Sequence, residues 1–298
     1  MNEIRRVALI GVGAVGTVLA VRLQACLGKG FSLIADPKRQ ERLCRDGILF
    51  NGVRYDFPFA EEGTAQELIL IATKATALPE VMERIAPYIG ESTLILSLLN
   101  GIDSEERLAS RFGAEHLLYS YFLGHPSMRD GNRVAHDGTY RIYFGEAENR
   151  AVSERVERVR HLFDRARIPY EIPQDMRAAL WQKFIINIGC NQTTALLRRP
   201  YGHLQENAEA LRLARLMMDE AAEVARRIGL SNPQEMVEEA VRVIRSMNPE
   251  GKSSMQQDVE AGRETEIEIF AGTLCRLADS MGYDVPWNRA AYQIISAL

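Results

Sequence analysis

The sequence reads as an α/β Rossmann-type N-terminal domain followed by an all-helical C-terminal domain. Three observations carry this reading. Short, almost wholly apolar runs alternate with helically spaced segments as far as Glu148, a glycine-rich turn joins the first run to the first helix, and strand-like runs cease beyond residue 174.

The first run, RRVALIG, ends at Gly11 and leads through GVGAVG into AVRLQACL, where Val15, Leu19, Leu23 and Leu27 recur at helical spacing. Strand, glycine turn and helix in that order are the context that gives Gly11-Val12-Gly13-Ala14-Val15-Gly16 its weight as a GxGxxG match. Gly11 permits the tight turn, Gly13 lets a pyrophosphate approach the backbone, and Gly16 lets the helix pack close to the sheet. The free amides and dipole at the helix start then suit a diphosphate, which makes this the opening of a dinucleotide-binding Rossmann domain. The second run, FSLIAD, ends at Asp36, 20 residues after Gly16. A carboxylate there accepts hydrogen bonds from the ribose diol of NAD, whereas Lys38 and Arg39 suit the 2′-phosphate of NADP. The signals conflict, and an ordinary solvated turn also accounts for all three residues.

Further strand-like runs are LILIAT at 68–73, TLILSLL at 93–99 and LLYSYFL at 117–123. Lys74 follows one and Asn100-Gly101 another, at the strand ends where such sheets bind ligands, although both are equally good turn residues. ILFNGVRYDF at 48–57 reads as a hairpin about Asn51-Gly52, and RVAHDGTYRIYFGE at 133–146 as a second, turning at Asp137-Gly138. Residues 150–165 read as a last helix of this domain, and RIPYEIP as an extended link. The boundary falls near 172, giving a dinucleotide-binding domain over 1–172 and a helical substrate-binding domain over 173–298. Helical patterns in the second run at about 175–198, 203–228, 233–246, 260–281 and 287–297.

A chain of 298 residues suits two domains, and 46% hydrophobic with 26% charged residues suits a globular protein. The net charge of −4 offers no basic footprint for nucleic acid. Arg5 and Arg6 before the apolar stretch Val7 to Val21 imitate a signal peptide, but the stretch is too short to span a bilayer and its glycines have their own purpose. A cytoplasmic location without a membrane partner is expected. Cys26, Cys44, Cys190 and Cys275 lie far apart and the five histidines show no ligand spacing, so free thiols and no metal are expected.

Two constellations in the second domain could carry chemistry. In MRAALWQKFIINIGCNQTTALL, Leu180, Phe184 and Ile188 form an apolar stripe, while Lys183, Asn187 and Asn191 form a polar row with about 6 Å between steps. Asparagine is a middling helix former, so two in a central apolar helix need a reason. A cleft lined by an ammonium and two amides is one, and a solvated stripe or buried polar network is the other. In NPEGKSSMQQD a loop turns into a helix that Ser253 or Ser254 caps. Ser254, Asp258, Gly262 and Glu266 then repeat every four residues, while Glu260, Arg263, Glu264 and Glu268 read as a solvent face. That row is either a ligand face, with Asp258 as a brace and Glu266 as the carboxylate presented, or one side of an amphipathic helix.

Over nearly its whole length the chain resembles the ketopantoate reductases (2-dehydropantoate 2-reductases), within the 6-phosphogluconate-dehydrogenase-like dehydrogenases. The matching segments are GVGAVG, Thr73-Lys74, LNGID at 99–103, WQKFIINIGCN at 181–191 and SSMQQDVEAGRETEIE at 253–268. The resemblance implies a Rossmann domain followed by a helical one, with Lys183 as the catalytic lysine and Glu266 as a substrate-binding carboxylate. It implies that Asn100, Asn187, Asn191 and Ser254 line the substrate cleft and that Lys74 lies near cofactor and substrate. The activity it implies is NADP-dependent reduction of 2-dehydropantoate to pantoate. Runner-up readings are a reductase of another 2-oxo acid and a dinucleotide-binding regulatory protein without turnover. Two departures stand out. Asp36 occupies a position where the family often has an arginine for the 2′-phosphate, and HPSMRDGNRVAHDG at 125–138 replaces a more glycine-rich, apolar stretch, where His125 and Arg129 are either specificity residues entering the cleft or part of an ordinary surface loop. A homodimer through the second domain is a further expectation.

Overall fold

The computed structural model describes residues 3–124 and 128–298, with the backbone alone at 128 and 129. Two compact units divide the chain, Met1–Arg177 and Ala178–Leu298.

The first unit is built on β1 (Val7–Ile10), α1 (Ala14–Leu27), β2 (Phe31–Ile34), α2 (Pro37–Asp46), β3 (Ile48–Phe50), β4 (Val53–Tyr55), β5 (Leu68–Ile71), α3 (Leu78–Ile85), β6 (Leu94–Ser97), α4 (Ser104–Phe112), β7 (Leu117–Gly124), β8 (Met128–Asp130), β9 (Arg133–Ala135), β10 (Tyr140–Gly145), α5 (Glu154–Ala166) and β11 (Tyr170–Glu171). A seven-stranded sheet has the order β11-β10-β7-β6-β5-β1-β2, and a smaller one the order β4-β3-β9-β8. Every residue of β1, β5 and β6 is buried, which is why those runs are apolar without alternation. β1 lies parallel to both β2 and β5, with Val7 facing Phe31 on one side and Leu68 on the other. The chain therefore winds outward from β1 in both directions. The crevice beyond the ends of β1 and β5 is the switch point where such sheets receive ligands.

The hairpin at 48–57 is present, with Asn51 (φ 48°) and Gly52 (φ 83°) both left-handed as a two-residue turn requires. The expected hairpin at 133–146 is not. β9 pairs with β8 and β3 in the small sheet, while β10 runs antiparallel to β7 in the large one. Aromatic packing gives the reason: on β7 and β10, Tyr121 stacks on Tyr143 with centroids 4.6 Å apart and Phe122 on Tyr140 at 5.3 Å. Gly138, at φ 87°, turns the chain from one sheet to the other. β2 also ends earlier than the sequence suggests, at Ile34.

The helical part consists of α6 (Met176–Leu197), α7 (Tyr201–Glu206), α8 (Ala208–Arg227), α9 (Pro233–Ser246), α10 (Ser254–Glu260), α11 (Thr273–Ser280) and α12 (Pro286–Ser296). Leu180, Phe184 and Ile188 of α6 are all buried, as their spacing predicts. The helix expected over 203–228 breaks at Asn207, whose side chain caps α8 by accepting from the amides of Glu209 and Ala210. The helix expected over 260–281 is also broken. α10 ends by Ala261, Gly262 takes φ 61°, and a π-type turn over Glu268–Gly272 leads into α11. Deep in this unit the Glu220 carboxylate accepts from the amides of Trp287 and Asn288 at 2.9 Å each and from Asn288 Nδ2 at 2.8 Å, so a carboxylate closes the N-terminus of α12. Gln192 Nε2 donates to Asn288 Oδ1 at 2.9 Å and ties α6 to the same network. Among the described residues no helix is long and apolar enough to cross a membrane.

Candidate active site

In the first unit the glycines do what the spacing asks of them. Gly11 sits at φ 98°, and a Cβ there would lie 2.5 Å from the carbonyl oxygen of Ala72 at the end of β5. A Cβ on Gly16 would overlap the carbonyl oxygen of Gly11, so α1 can begin this close to β1 only without a side chain at that point. Gly13 is the N-cap of α1 and offers no side chain to the free amides of the first turn. Val12 is buried, and Ala14 and Val15 are partly so. Thr73, beside Gly11, has a buried hydroxyl with no hydrogen-bond partner. Bare helix amides, a cradle that tolerates no Cβ and an unsatisfied hydroxyl at the switch point together fit the diphosphate of a dinucleotide.

Asp36 lies beyond the end of β2 as the N-cap of α2. Its Oδ1 accepts from the Arg39 amide at 2.7 Å, and Oδ2 is 4.0 Å from the Arg84 guanidinium. That amide bond is the main reason its carboxyl is held below the usual range, with Arg84 adding to the effect. Lys38 is exposed and Arg39 half-buried, its guanidinium pulled down from its ordinary value by burial and then by Arg42. Lys74 is exposed and Asn100 half-buried, each just past a strand, and Gly101 turns the chain at φ 101°. His125 lies outside the described residues, as does the side chain of Arg129.

In the second unit Lys183, Asn187 and Asn191 are all half-buried on one face of α6, and Asn191 Nδ2 donates to Asn187 Oδ1 at 3.3 Å. The polar row is thus neither core nor open surface. Ser253 caps α10 by accepting from the Gln256 amide at 3.1 Å, and its hydroxyl meets Thr194 Oγ1 of α6 at 2.7 Å. Ser254 opens α10 and is exposed. The row Ser254, Asp258, Gly262, Glu266 does not lie on one helix, because the chain breaks at Gly262. Asp258 accepts from Arg263 Nε at 2.7 Å and so braces the turn that ends α10. Glu266 is half-buried just ahead of the π-type turn, a distortion common at functional sites.

Two models of one family account for most of the chain in tandem: "Ketopantoate reductase PanE/ApbA" matches residues 7–149, and "Ketopantoate reductase PanE/ApbA C terminal" matches 175–298. The chain belongs to the ketopantoate reductase family. It is an oxidoreductase of that kind, with an α/β Rossmann-like domain followed by a helical one. A 2-dehydropantoate 2-reductase of Archaeoglobus fulgidus is 26% identical over 297 residues, covering 98% of this chain and 97% of that one. Among solved structures, a 2-dehydropantoate 2-reductase of Geobacter metallireducens is 27% identical with a TM-score of 0.83, covering 98% of this chain and 99% of that one. A D-mandelate dehydrogenase solved with NADH shares the fold, with a TM-score of 0.85 at 19% identity, covering 98% of each chain.

Two features of the first unit are not visible in the sequence. The Thr73 hydroxyl is distinguished only by its lack of a partner, which sequence does not reveal. Glu105, in the first turn of α4, is 3% exposed and Ser104 Oγ donates to it at 2.9 Å, and no local sequence pattern reports that burial. Burial pushes its carboxyl up to about 7.

Proposed function

We propose that this protein reduces 2-dehydropantoate, or a closely similar hydroxylated 2-oxo acid, to the corresponding 2-hydroxy acid with NADPH. The observation that carries the proposal is the half-buried row of Lys183, Asn187 and Asn191 on one face of an otherwise apolar helix. When bound, the reduced nicotinamide supplies the hydride. Reduction of a ketone leaves negative charge on its oxygen, and a proton must reach that atom. Lys183 holds that proton on Nζ and delivers it to the oxygen. Asn187 and Asn191, linked to each other, orient the ammonium or the substrate beside it. Glu266 accepts a hydrogen bond from the substrate's hydroxyl, and Ser254 and Asn100 take the remaining polar groups. The 2-dehydropantoate activity that the Archaeoglobus relative bears in its name supports the substrate.

For the cofactor, residues 11–16 hold the diphosphate with Lys74 and Asn100 nearby, and Lys38 and Arg39 take the 2′-phosphate. The choice of NADPH is supported by Asp36, whose Oδ1 is occupied by its own helix cap. NADH stays in view because Oδ2 is not so occupied. Replacing Asp36 by Asn keeps the cap and removes the charge beside Arg39. The ratio of kcat/KM for NADPH to that for NADH is expected to rise in this variant about tenfold, the scale of one ion pair near the surface. An unchanged ratio would remove Asp36 from cofactor selection.

Glu266→Ala is expected to raise KM for the hydroxylated 2-oxo acid roughly tenfold or more while the Kd for NADPH stays within about twofold. Equal losses in both constants would place Glu266 elsewhere. An analogue without the hydroxyl should be turned over almost equally by wild type and variant.

A further inference from the structure

A buried carboxylate lies outside the proposed chemistry. Glu105, in the first turn of α4, has no cation within ion-pair distance among the described residues, and its neighbours are hydroxyls and amides. Ser104 Oγ donates to Oε2 at 2.9 Å, and the Ser120 amide on β7 reaches Oε1 at 3.5 Å. Ser104 Oγ also lies 2.8 Å from Ser97 Oγ at the end of β6, and Ser120 Oγ donates to the Ser97 carbonyl at 2.8 Å. Ser97, Ser104 and Ser120 are all buried. The Ser97–Ser104 bond closes the base of the segment 98–103, and that segment carries Asn100. The titratable groups around the carboxyl are Asp103 at the helix start and Tyr119 on β7, whose phenol also feels Glu106 and Arg177; β6 carries no titratable group and presents only the hydroxyl of Ser97.

The hydroxyl chain has a direction. With Glu105 ionised, Ser104 must spend its only proton on the carboxylate, and Ser97 must donate to Ser104. With Glu105 protonated, the carboxyl can donate to Ser104, which then donates to Ser97. The ionised state is also a buried charge facing no cation, a state relieved by letting water reach the helix start. We propose that Glu105 is a positioning residue for Asn100: through Ser104 and Ser97 it holds the ends of segment 98–103 together, and loss of its proton loosens that segment. Its carboxyl, at about 7, changes state near neutrality. Because the folded value lies above the ordinary one, the grip is complete at low pH and is lost as pH rises through that value. The consequence for ligands rests on the assignment of Asn100 to the site above.

Hydrogen exchange of the 98–103 amides, corrected for intrinsic rates, tests this in the ligand-free protein at pH 6 and pH 8. Wild type is expected to lose protection about fivefold at the higher pH, a modest coupling for a conformational effect of this kind. Glu105→Gln, which mimics the protonated acid, is expected to show no such change. Should that variant not fold, Ser104→Ala interrupts the same chain and should likewise lose the pH dependence. The Kd for NADH, which lacks a titrating 2′-phosphate, should follow the exchange, weakening about fivefold in wild type only. Equal pH dependence of exchange in wild type and variant would overturn the positioning role. Exchange that changes as expected while NADH affinity does not follow would uphold that role and remove Asn100 from the cofactor site.

Discussion

Lys183→Ala is expected to fold, to bind NADPH with nearly unchanged Kd, and to lose roughly 100- to 10,000-fold in kcat on its 2-oxo acid, the range for losing a positioned general acid. The fold should survive because the side chain is half-buried on a face whose apolar counterpart, Leu180, Phe184 and Ile188, packs elsewhere. Cofactor affinity should survive because the groups proposed to hold the dinucleotide lie on the first unit. Lys183→Arg is the sharper control. It keeps a cation but delivers a proton poorly, since guanidinium stays protonated across the working range. A purely electrostatic role would leave that variant active, whereas a proton-donating role leaves it close to the alanine variant. Fluorescence titration with NADPH and steady-state turnover on the same preparations separate these outcomes.

Gly11→Ala should produce the largest effect outside the proposed chemistry. The substitution places a side chain where φ is 98° and where the new Cβ lies 2.5 Å from the Ala72 carbonyl oxygen and 2.6 Å from its carbon. Neither neighbour can yield cheaply, because β1 and β5 are hydrogen-bonded partners in the buried centre of the sheet. Backbone strain and forced separation together should cost about 3 kcal/mol. The same displacement moves the amides of the first turn of α1, so NADPH affinity should fall at least about tenfold in whatever fraction folds. Thermal unfolding with and without NADPH reads both losses. A variant with wild-type stability and ligand-induced stabilisation would show that this turn does not hold the dinucleotide.

The architecture was legible because its signals are local. Uninterrupted apolar runs reported β1, β5 and β6 as strands covered on both faces, and GVGAVG stated its backbone requirement directly. Asn51-Gly52 specified a turn by itself. The 133–146 stretch carried an equally good turn at Asp137-Gly138, but pairing there is settled by partners distant in sequence, Tyr119 to Gly124 on β7, and no local pattern reports them. The same limit governed the candidate site. Lys183, Asn187 and Asn191 could be placed on one face of a single helix from spacing alone. Ser254 and Glu266 do not share one helix, because four-residue spacing implies one only if the helix persists, and the chain breaks at Gly262. Nothing local marks Glu105, because its burial comes from β6 and β7 and the hydroxyls around it are spread over residues 97 to 120.

Reduction of a hydroxylated 2-oxo acid at the expense of NADPH is read directly in steady-state kinetics of the purified protein. Loss of reduced-nicotinamide absorbance is followed with 2-dehydropantoate and with 2-oxo acids of similar bulk that lack the hydroxyl. The highest kcat/KM is expected for the hydroxylated acid, with a preference over its deoxy analogues of about tenfold or more. Tight NADPH binding with no turnover of any 2-oxo acid, or a preference for the acids without the hydroxyl, would contradict it.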